Sequence, residues 1–463
     1  MRLGAVVLAA GQGKRMKSKL FKVLHPVCGK PMVQHVVDRL AELNAQRVIV
    51  VVGHGADQVR SSITGRVEFA HQAEQLGTAH ALMQAAPLME NEDGQTLVLY
   101  GDTPLLTTET LEQLLSAHQQ SGAGATILTA HMDNPTGYGR IIRDASGDID
   151  AIVEQKDCTL EQQAIQEINT GTYCFDNRKL FAALKEVKNN NAQGEYYLTD
   201  VIEILRSSGD RVFGYTMSDP DESIGVNDRV ALAQVEAIMR QRIAHSHMLA
   251  GVTLIDPAAT YIEADVQIGA DTVILPGTFL RGKTIIGEDC VIGPHSELTH
   301  SIIGDAVTVQ RSVLNEAVIG NQSQIGPFAY LRPGSRVGAH AKIGDFVELK
   351  NAQIGDGSKV PHLSYVGDAI IGRDVNIGCG AITANYDGIN KHQTIIDDEA
   401  FIGSNSNLIA PVHIGRGAYV VAGSTITSDV EADALAIARG RQTNKPGYAS
   451  KLKNRIRGSK SKS

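Results

Sequence analysis

The stretch AVVLAAGQGKRMKSKLFK, from Ala5 to Lys22, has two possible interpretations that place the protein in different compartments. A short apolar run followed by small residues is compatible with a signal peptide, which would be removed on export. The same letters also predict a buried strand that ends in a glycine loop crowded with cations. Glycines let backbone N–H groups approach a polyphosphate closely, and cations neutralise the charge on its oxygens. The second interpretation therefore predicts a phosphate-binding loop from Gly11 to Lys22.

The composition predicts a soluble globular protein with more than one domain. The chain has 463 residues, which is too long for a single ordinary core. The net charge of −8 argues against a nucleic-acid-binding protein, and no apolar run approaches the roughly 20 residues that a membrane helix requires. Five widely spaced cysteines without a CxxC pair indicate free thiols in a reducing compartment, the cytoplasm. This weakens the signal-peptide interpretation.

The first half of the chain alternates apolar runs with amphipathic stretches. Because the runs are apolar almost throughout, they predict a parallel sheet with helices on both faces. Ligands bind such sheets beyond the carboxyl ends of the strands, where Gly11–Arg15 and Gly101-Asp102 both fall. The predicted strands are Ala5–Ala10, Arg47–Gly53, Val67–His71, Thr96–Gly101 and Ala125–His131, and the predicted helices include Pro31–Leu43, Thr78–Ala86 and Thr108–Ser121.

A six-residue repeat governs the second half, from Ile262 to about Thr427. An aliphatic residue followed by glycine recurs mostly at multiples of six or one short of a multiple, as in IGADTV, IGEDCV and IGPHSE. This period predicts a parallel β-helix, in which three short strands form one triangular coil. No coil buries its apolar face alone, so stability comes from stacking. One longer interval, from Ile377 to Ile402, predicts a loop that leaves the coils.

These patterns divide the chain into four segments. We assign residues 1–226 to the strand–helix domain, 227–250 to a linker helix, 251–438 to the β-helix and 439–463 to a basic tail. The last 13 residues, KLKNRIRGSKSKS, carry six cations. We expect this tail to be solvated and partly disordered, with binding of an anionic ligand as the alternative.

Further motifs resemble those of sugar-1-phosphate nucleotidylyltransferases. LAAGQGKRM at 8–16 is similar to that family's L-A-A-G-x-G-T-R-M, with Lys14 in place of Thr. AEQLGTAHAL (73–82), LYGDTPLL (99–106), PTGYGRI (135–141), IVEQKD (152–157), EINTGTY (167–173) and IGVND (224–228) are also similar. The repeat half adds LRPGS, FVELKN, HLSYVGD, NIGCGAITANYDG and FIGSNSNLIAPV. Together they resemble, over almost the whole chain, the bacterial bifunctional N-acetylglucosamine-1-phosphate uridylyltransferases/glucosamine-1-phosphate N-acetyltransferases. Ala5–Ala10 is then the first strand of a Rossmann-like sheet.

The first predicted reaction is nucleotidyl transfer, in which a protein aligns two polyanions and stabilises the negative charge that develops. Asp102, after an apolar strand, is the natural Mg²⁺ ligand, and the resemblance implies Asn227 as the second. It implies that Gly139, Glu154 and Asn169 hold the amino sugar. The resemblance further implies that the nucleotide is bound by Leu8, Ala9, Ala10, Gly11, Arg15, Lys22, Gln72, Gly77, Thr78, Tyr100 and Gly101, of which Gln72, Gly77 and Thr78 would read uracil.

The second predicted reaction is acetyl transfer, which needs a base for the amine proton and donors for the developing oxyanion. Histidine suits the first task near neutral pH, but by composition no histidine of the repeat region stands out. The resemblance implies that His362 is the base and that Arg332 and Lys350 clamp the sugar phosphate. It implies sugar contacts from Tyr365, Asn376 and Asn385, and an acetyl-CoA groove lined by Cys379, Asn385, Tyr386, Ser404, Ala422 and Arg439, with Ser404 a weaker candidate for oxyanion support.

The resemblance implies a left-handed β-helix, a homotrimer with active sites between subunits, and two consecutive steps. Glucosamine-1-phosphate is acetylated from acetyl-CoA, and the product is then joined to uridylate from UTP, giving UDP-N-acetylglucosamine and pyrophosphate. We expect small-molecule partners and neither nucleic acid nor membrane. Two alternatives stay open: a single-activity nucleotidylyltransferase with a regulatory β-helix, and a structural trimer or binding module with a decayed catalytic half.

Overall fold

The computed structural model describes residues 2–191 and 193–460, with side chains described up to residue 457. The last three residues of the predicted tail, 461–463, lie outside the described residues. The chain divides into two compact units, Met1–Ile243 and Ala244–Ser463. The division point lies within the helix Arg229–Leu249, so each unit is described separately.

The first unit is built around one twisted sheet. Its strand order is Val212–Thr216, Ala125–His131, Glu167–Asp176, Gln95–Tyr100, Leu3–Ala9, Arg47–Val52 and Glu68–His71. The strand Leu3–Ala9 lies at the centre, parallel to both of its neighbours. The interpretation of Ala5–Ala10 as a buried sheet strand is therefore confirmed.

The sheet is mixed rather than wholly parallel, so the prediction of a parallel sheet is wrong where Glu167–Asp176, Gly139–Arg143 and Ile149–Val153 form antiparallel pairs. Glu167–Asp176 runs antiparallel to both Gln95–Tyr100 and Ala125–His131. Its register shifts between Asn169 and Tyr173, where the polar sequence Asn-Thr-Gly-Thr interrupts the apolar pattern. Bulges of this kind commonly re-aim side chains next to active sites. The interruption hid the strand from a search for apolar runs.

Helices cover both faces of this sheet. Alternate residues of the central strand enter two separate cores, with Val6 and Leu8 in one and Ala5 and Val7 in the other, which explains the continuous apolar run. The other strands are Pro26–Val27, Lys30–Pro31, Gly139–Arg143 and Ile149–Val153. The helices of this unit are Met32–Glu42, Ala56–Ser62, Thr78–Met83, Ala86–Met89, Thr108–Ser121, Leu160–Gln163, Asn177–Leu184 and Asp200–Ser207, with 3₁₀ turns at Lys14–Met16, Lys22–Leu24 and Pro220–Ser223.

The second unit is a parallel β-helix whose described strands form three sheets. The first sheet contains Thr253–Leu254, Val273–Ile274, Val291–Ile292, Thr308–Val309, Gln324–Ile325, Lys342–Asp345, Lys359–His362, Asn376–Ile377, Phe401–Ile402, Tyr419–Val420 and Leu435–Ala436. The second contains Tyr261–Ile262, Phe279–Arg281, Glu297–Thr299, Val313–Asn315, Tyr330–Leu331, Glu348–Lys350, Tyr365–Gly367, Ile382–Ala384, Asn407–Ile409 and Thr425–Ile426. The third contains Gln267–Ile268, Ile285–Ile286, Ile302–Ile303, Val318–Ile319, Arg336–Val337, Gln353–Ile354, Ala369–Ile371, Thr394–Ile396 and Val412–Ile414, and a 3₁₀ turn lies at Pro257–Ala259.

Most aliphatic residues that precede a repeat glycine are buried in the coil, as the period predicts, with Ile286, Ile292 and Ile303 as examples. Leu280, Leu298, Leu314, Leu331 and Leu349 are all fully buried and occupy one column of the second sheet. Truncating one such leucine to alanine typically costs about 2–5 kcal/mol. The column thus links the coils into one cooperative stack.

The long interval between Ile377 and Ile402 contains two further strands, Ile382–Ala384 and Thr394–Ile396. The residues that leave the coils are therefore only those between them, 385–393. The tail also differs from expectation, because it contains a helix, Tyr448–Lys460. Among the described residues, no helix is long and apolar enough to cross a membrane.

Candidate active sites

A cavity of about 230 Å³ opens at the carboxyl ends of the central strands of the first unit. Ligands of open α/β sheets commonly bind at this edge. The structure brings together here most of the residues that the sequence assigned to the nucleotide. These are Leu8, Ala9, Ala10, Gly11, Lys22, Gln72, Gly77, Thr78 and Tyr100, joined by the predicted metal ligand Asp102 and by Val23, Gln75, Ala81 and Glu195.

The loop after the first strand turns back on itself to reach the cavity. Gly13 has a φ of +63°, and a Cβ at this position would lie 2.5 Å from Cβ of Lys22. Only glycine fits this close return, which delivers the Lys22 ammonium to the cavity. Arg15 lies exposed in the turn Lys14–Met16 and does not line the cavity.

Lys22 connects the two predicted metal ligands. Its ammonium contacts the Asp102 carboxylate and donates to Oδ1 of Asn227 at 3.1 Å. The Asp102 carbonyl accepts from the Val226 amide at 2.9 Å, which holds the two segments together. A carboxylate oxygen and an amide oxygen therefore converge on one cation, the donor set that suits a hard divalent ion with several waters. Among the described residues, no group of three or more His, Cys, Asp or Glu side chains forms a metal cage.

Hydrogen bonds fix the orientation of the polar groups of Gln72, Gly77 and Thr78 in the lining of the cavity. Gln72 is buried, and its side-chain nitrogen donates to the Gly77 carbonyl at 3.2 Å and lies 3.0 Å from Nδ1 of His80. Thr78 begins the helix Thr78–Met83, and its hydroxyl accepts from the Leu198 amide at 3.0 Å. These contacts hold the three predicted uracil-reading positions in place.

The predicted amino-sugar residues form a cluster next to the strand bulge. Gly139 pairs with Asn169 across the sheet, and a Cβ at Gly139 would lie 3.6 Å from both Cβ of Asn169 and Oε1 of Glu154. Burial raises the pKa of the Glu154 carboxyl, and the nearby Asp157 and Asp200 add to the shift. The cluster lies outside the lining of the nucleotide cavity.

Tyr100 and Gly101 are two further residues that the sequence assigned to nucleotide binding. Burial raises the pKa of the Tyr100 phenol well above its usual range, with smaller contributions from Asp102 and Glu154, so the phenol stays neutral at physiological pH. Gly101 does not line the cavity, and a Cβ there would lie 3.3 Å from methyl groups of Val23 and Val33. Its role in the structure is therefore close packing beneath the Asp102 strand end.

In the second unit, most residues assigned to acetyl-CoA form one column along a corner of the β-helix. The Gly380 amide donates to the His362 carbonyl at 3.4 Å, the Asn405 amide to the Cys379 carbonyl at 2.8 Å, and the Gly423 amide to the Ser404 carbonyl at 2.8 Å. These bonds stack equivalent corner positions of successive coils. In chain order the column contains His362, Cys379, Ser404 and Ala422, and Arg439 joins it through a 3.1 Å bond from its guanidinium to the Ala422 carbonyl. All five are exposed.

The first residue of the column in chain order is His362, which contributes its imidazole. Its Nδ1 lies 2.7 Å from Oδ1 of Asp345, one coil earlier. The hydrogen bond from His362 lowers the pKa of the Asp345 carboxyl, which is therefore ionised at neutral pH. Cys379, one coil beyond His362, is the exposed cysteine among the described residues.

A polar cluster lies where strands of the second sheet end, around the Asp368 carboxylate. Lys350 donates to both of its oxygens at 2.9 Å, Asn351 to one at 2.9 Å and Asn385 to the other at 2.5 Å. Burial opposes ionisation of Asp368, but these donors outweigh it and lower its pKa. Asp368 thus orients Lys350 and Asn385.

Cations gather around this cluster. Arg332 precedes Lys350 by one coil and donates to Oε1 of Glu348 at 3.0 Å. Lys391, from the loop 385–393, lies close enough to Lys350 for that ammonium to lower the pKa of Lys391. Converging cations suit a phosphate, whose charge relieves their mutual repulsion.

The remaining predicted residues flank the cluster. Tyr365 pairs with Glu348 in the second sheet, whereas Asn376 belongs to the first sheet and pairs with Lys359. Tyr386, on the loop 385–393, is exposed. The sequence motifs missed Asp345, Asp368 and Lys391. Asp368 lies within the quoted HLSYVGD, but nothing in a linear motif indicated that one carboxylate would receive three donors.

Comparisons with known proteins agree with this division. A model of the MobA-like NTP transferase domain matches residues 5–199, one of bacterial transferase hexapeptides (six repeats) matches 265–300 and 316–351, and one of the hexapeptide repeat of succinyl-transferase matches 393–428. Curated proteins named "Bifunctional protein GlmU" are 61% identical over 97% of this chain in Brevibacillus brevis and Geobacillus sp., and 57% identical in Listeria monocytogenes, in each case over 98% of the relative. The chain belongs to the bifunctional GlmU family.

Membership of the GlmU family makes the chain a bifunctional transferase acting on small molecules. The first unit is its nucleotidyltransferase and the second its hexapeptide-repeat acyltransferase. The predicted fold class, a Rossmann-like nucleotidyltransferase domain followed by a left-handed parallel β-helix, is confirmed. A nucleotidyltransferase of this type is consistent with a divalent-metal requirement.

Proposed function

We propose that the first unit transfers uridylate from UTP to N-acetylglucosamine-1-phosphate and releases pyrophosphate. A phosphate oxygen of the sugar attacks the α-phosphorus of UTP as the bond to the pyrophosphate oxygen breaks. The convergence of Lys22, Asp102 and Asn227 supports this proposal, because Lys22 and Asp102 line the cavity and the reaction needs positive charge between two polyanions. Magnesium bound by Asp102 and Asn227 would supply further charge neutralisation on the phosphates.

Different groups of the chain then bind the phosphates, the base and the sugar. The loop amides near Gly11 and the cations Arg15 and Lys22 hold phosphate oxygens. Gln72 and the backbone at Gly77 face the base, and their fixed amides favour a pyrimidine whose edge carries both donors and acceptors. Glu154 and Asn169, beside Gly139, hold the sugar hydroxyls and the acetamido group.

We propose that the second unit transfers an acetyl group from acetyl-CoA to the amine of glucosamine-1-phosphate. The amine nitrogen attacks the thioester carbonyl, His362 accepts the amine proton at Nε2, and the carbon–sulfur bond breaks. The departing thiolate takes up that proton and leaves as coenzyme A. The position of His362 carries this proposal, since the base stands at the end of an exposed column that a long cofactor can follow.

The polar cluster around Asp368 is the binding site for glucosamine-1-phosphate. Arg332, Lys350 and Lys391 surround the sugar phosphate, and Asn385 and Tyr365 contact the sugar. His362 ends a strand of the first sheet and Tyr365 begins the next strand of the second sheet, so only Leu363 and Ser364 separate these two residues along the chain. Ser404, further along the column, supports the oxyanion of the thioester carbonyl.

We further propose that the active protein is a homotrimer of the cytoplasm. An exposed apolar ridge supports the assembly: the rings of Phe328 and Phe346 stack at 5.4 Å, and Leu363, one coil further, is 60% exposed. Exposed apolar patches of this kind mark protein interfaces. The ridge adjoins His362, so a neighbouring subunit would close the groove.

The test uses the full-length protein with glucosamine-1-phosphate, acetyl-CoA, UTP and Mg²⁺, and follows coenzyme A thiol and pyrophosphate separately. Thiol should appear before pyrophosphate, and omission of acetyl-CoA should abolish both signals. If the protein releases pyrophosphate from N-acetylglucosamine-1-phosphate but never releases thiol from glucosamine-1-phosphate, the second proposal is wrong and the β-helix is a scaffold.

A further inference from the structure

We propose that Asp345 is the positioning residue of the acetyl-transfer base, and that it holds the His362 imidazole in the tautomer that accepts a proton at Nε2. This inference rests on the proposed acetyltransferase function of the second unit. It adds to the reaction a carboxylate that contacts neither substrate and acts only through the histidine.

The β-helix itself sets the geometry of the pair. Asp345 ends the strand Lys342–Asp345, His362 ends the next strand of the same sheet, Lys359–His362, and the two residues are register partners. The coils approach closely at this point, because a Cβ at Gly344 would lie 1.8 Å from the Pro361 carbonyl oxygen. The 2.7 Å separation of Oδ1 and Nδ1 is therefore fixed by backbone stacking rather than by burial of the side chains.

The chemistry of the contact selects one tautomer. An ionised carboxylate accepts hydrogen bonds but has no proton to donate, so Nδ1 of His362 must carry the hydrogen. The lone pair then resides on Nε2, the nitrogen that has to receive the amine proton. When Nε2 becomes protonated during the reaction, the adjacent negative charge of Asp345 stabilises the resulting imidazolium.

Other aspartate–histidine pairs of the second unit have the opposite arrangement. His413 lies 2.8 Å from Asp397 through Nε2, and His392 lies 2.7 Å from Asp387 through Nε2. Among the described pairs of this unit, that of His362 alone leaves Nε2 available. The described part of the β-helix thus has one aspartate–histidine contact that leaves Nε2 available, at His362, and two that engage Nε2, at His413 in the third sheet and His392 in the loop 385–393.

The experiment compares Asp345→Ala with Asp397→Asn, a matched removal of a half-buried aspartate that pairs with a histidine on the same β-helix. For thiol release, kcat should fall about 10- to 100-fold in Asp345→Ala, less than the 10²–10⁴-fold that a general base supplies. KM for both substrates should stay within about twofold, since Asp345 contacts neither. The urea midpoint for loss of thiol release, unchanged from the wild type, reports whether the β-helix of each variant is folded.

A spectroscopic readout keeps this test separate from the activity. Nitrogen-15 spectra of histidine-labelled full-length protein, assigned by difference against His362→Ala, should show Nδ1 protonated and Nε2 unprotonated in the wild type, with the tautomers mixed in Asp345→Ala. Wild-type protein with Nε2 protonated, or Asp345→Ala with the same kcat as Asp397→Asn, would overturn the proposal. If the wild type releases no thiol, the acetyltransferase function fails instead, and the tautomer still decides the role of Asp345.

Discussion

Replacement of Gly77 by alanine should damage the first reaction and leave the second intact. Gly77 has φ 114° and ψ 179°. Only glycine adopts this backbone conformation at low cost, and any other residue there loses about 1–3 kcal/mol of folding free energy. The added methyl group would lie 2.5 Å from the Tyr196 carbonyl oxygen and 2.8 Å from its nitrogen.

That backbone segment cannot move without loss, because the Tyr196 amide donates to Leu76 and the Ala79 amide donates to Tyr196. Two weakened hydrogen bonds add about 1–3 kcal/mol, so the total destabilisation of the first unit is about 2–6 kcal/mol. The Gly77 carbonyl also accepts from Gln72, so its displacement should raise KM for UTP.

Gly65→Ala is the matched control, because Gly65 has φ +108° but open space around its Cβ position. Inactivation in urea is followed separately for each unit, through pyrophosphate release and thiol release. Gly65→Ala should show only the backbone cost, and Gly77→Ala a lower urea midpoint for pyrophosphate release with an unchanged midpoint for thiol release. Equal behaviour of the two variants would refute the argument from contact.

Three other substitutions test separate parts of the sites. Asp102→Asn should lower pyrophosphate release about 10²-fold or more at saturating Mg²⁺, with thiol release unchanged, because the polyanions lose a charged anchor; equal rates would contradict this. Burial raises the pKa of Glu154, so the folded state binds its proton more tightly and stability falls as pH rises through the shifted range. Glu154→Gln should therefore unfold at higher urea than the wild type at pH 7 but not below about pH 4.5, and a constant difference would refute this. Asp368→Asn should raise KM for glucosamine-1-phosphate about 10-fold, since Lys350 loses its charged acceptor, and an unchanged KM would exclude that role.

The sequence predicted the elements with a regular period. The apolar run after Leu3 and the six-residue repeat dictate a buried strand and stacked coils, because burial requires those spacings whatever the remaining residues are. The antiparallel strand Glu167–Asp176 escaped prediction because a polar bulge breaks its pattern. The tail helix Tyr448–Lys460 escaped because a run of cations is equally typical of a disordered segment.

The site residues divide along a similar line. Motif positions such as Gln72 and Asp102 meet in one cavity because the sheet brings strand ends together. Asp345 and Asp368 belong to no period and act through residues 17 and 18 positions away in the chain. Such contacts depend on the register between coils, which a sequence repeat fixes only approximately when its intervals vary.

The most direct test of two independent activities on one chain mixes two variants, His362→Ala and Asp102→Asn. Each alone, given glucosamine-1-phosphate, acetyl-CoA, UTP and Mg²⁺, should form almost no nucleotide sugar, the first releasing no thiol and the second thiol without pyrophosphate. The mixture should restore nucleotide-sugar formation, because the acetylated intermediate made by one variant serves the other. If His362→Ala still releases thiol at the wild-type rate, or if the mixture stays inactive while both variants remain folded, the assignment of one reaction to each unit is wrong.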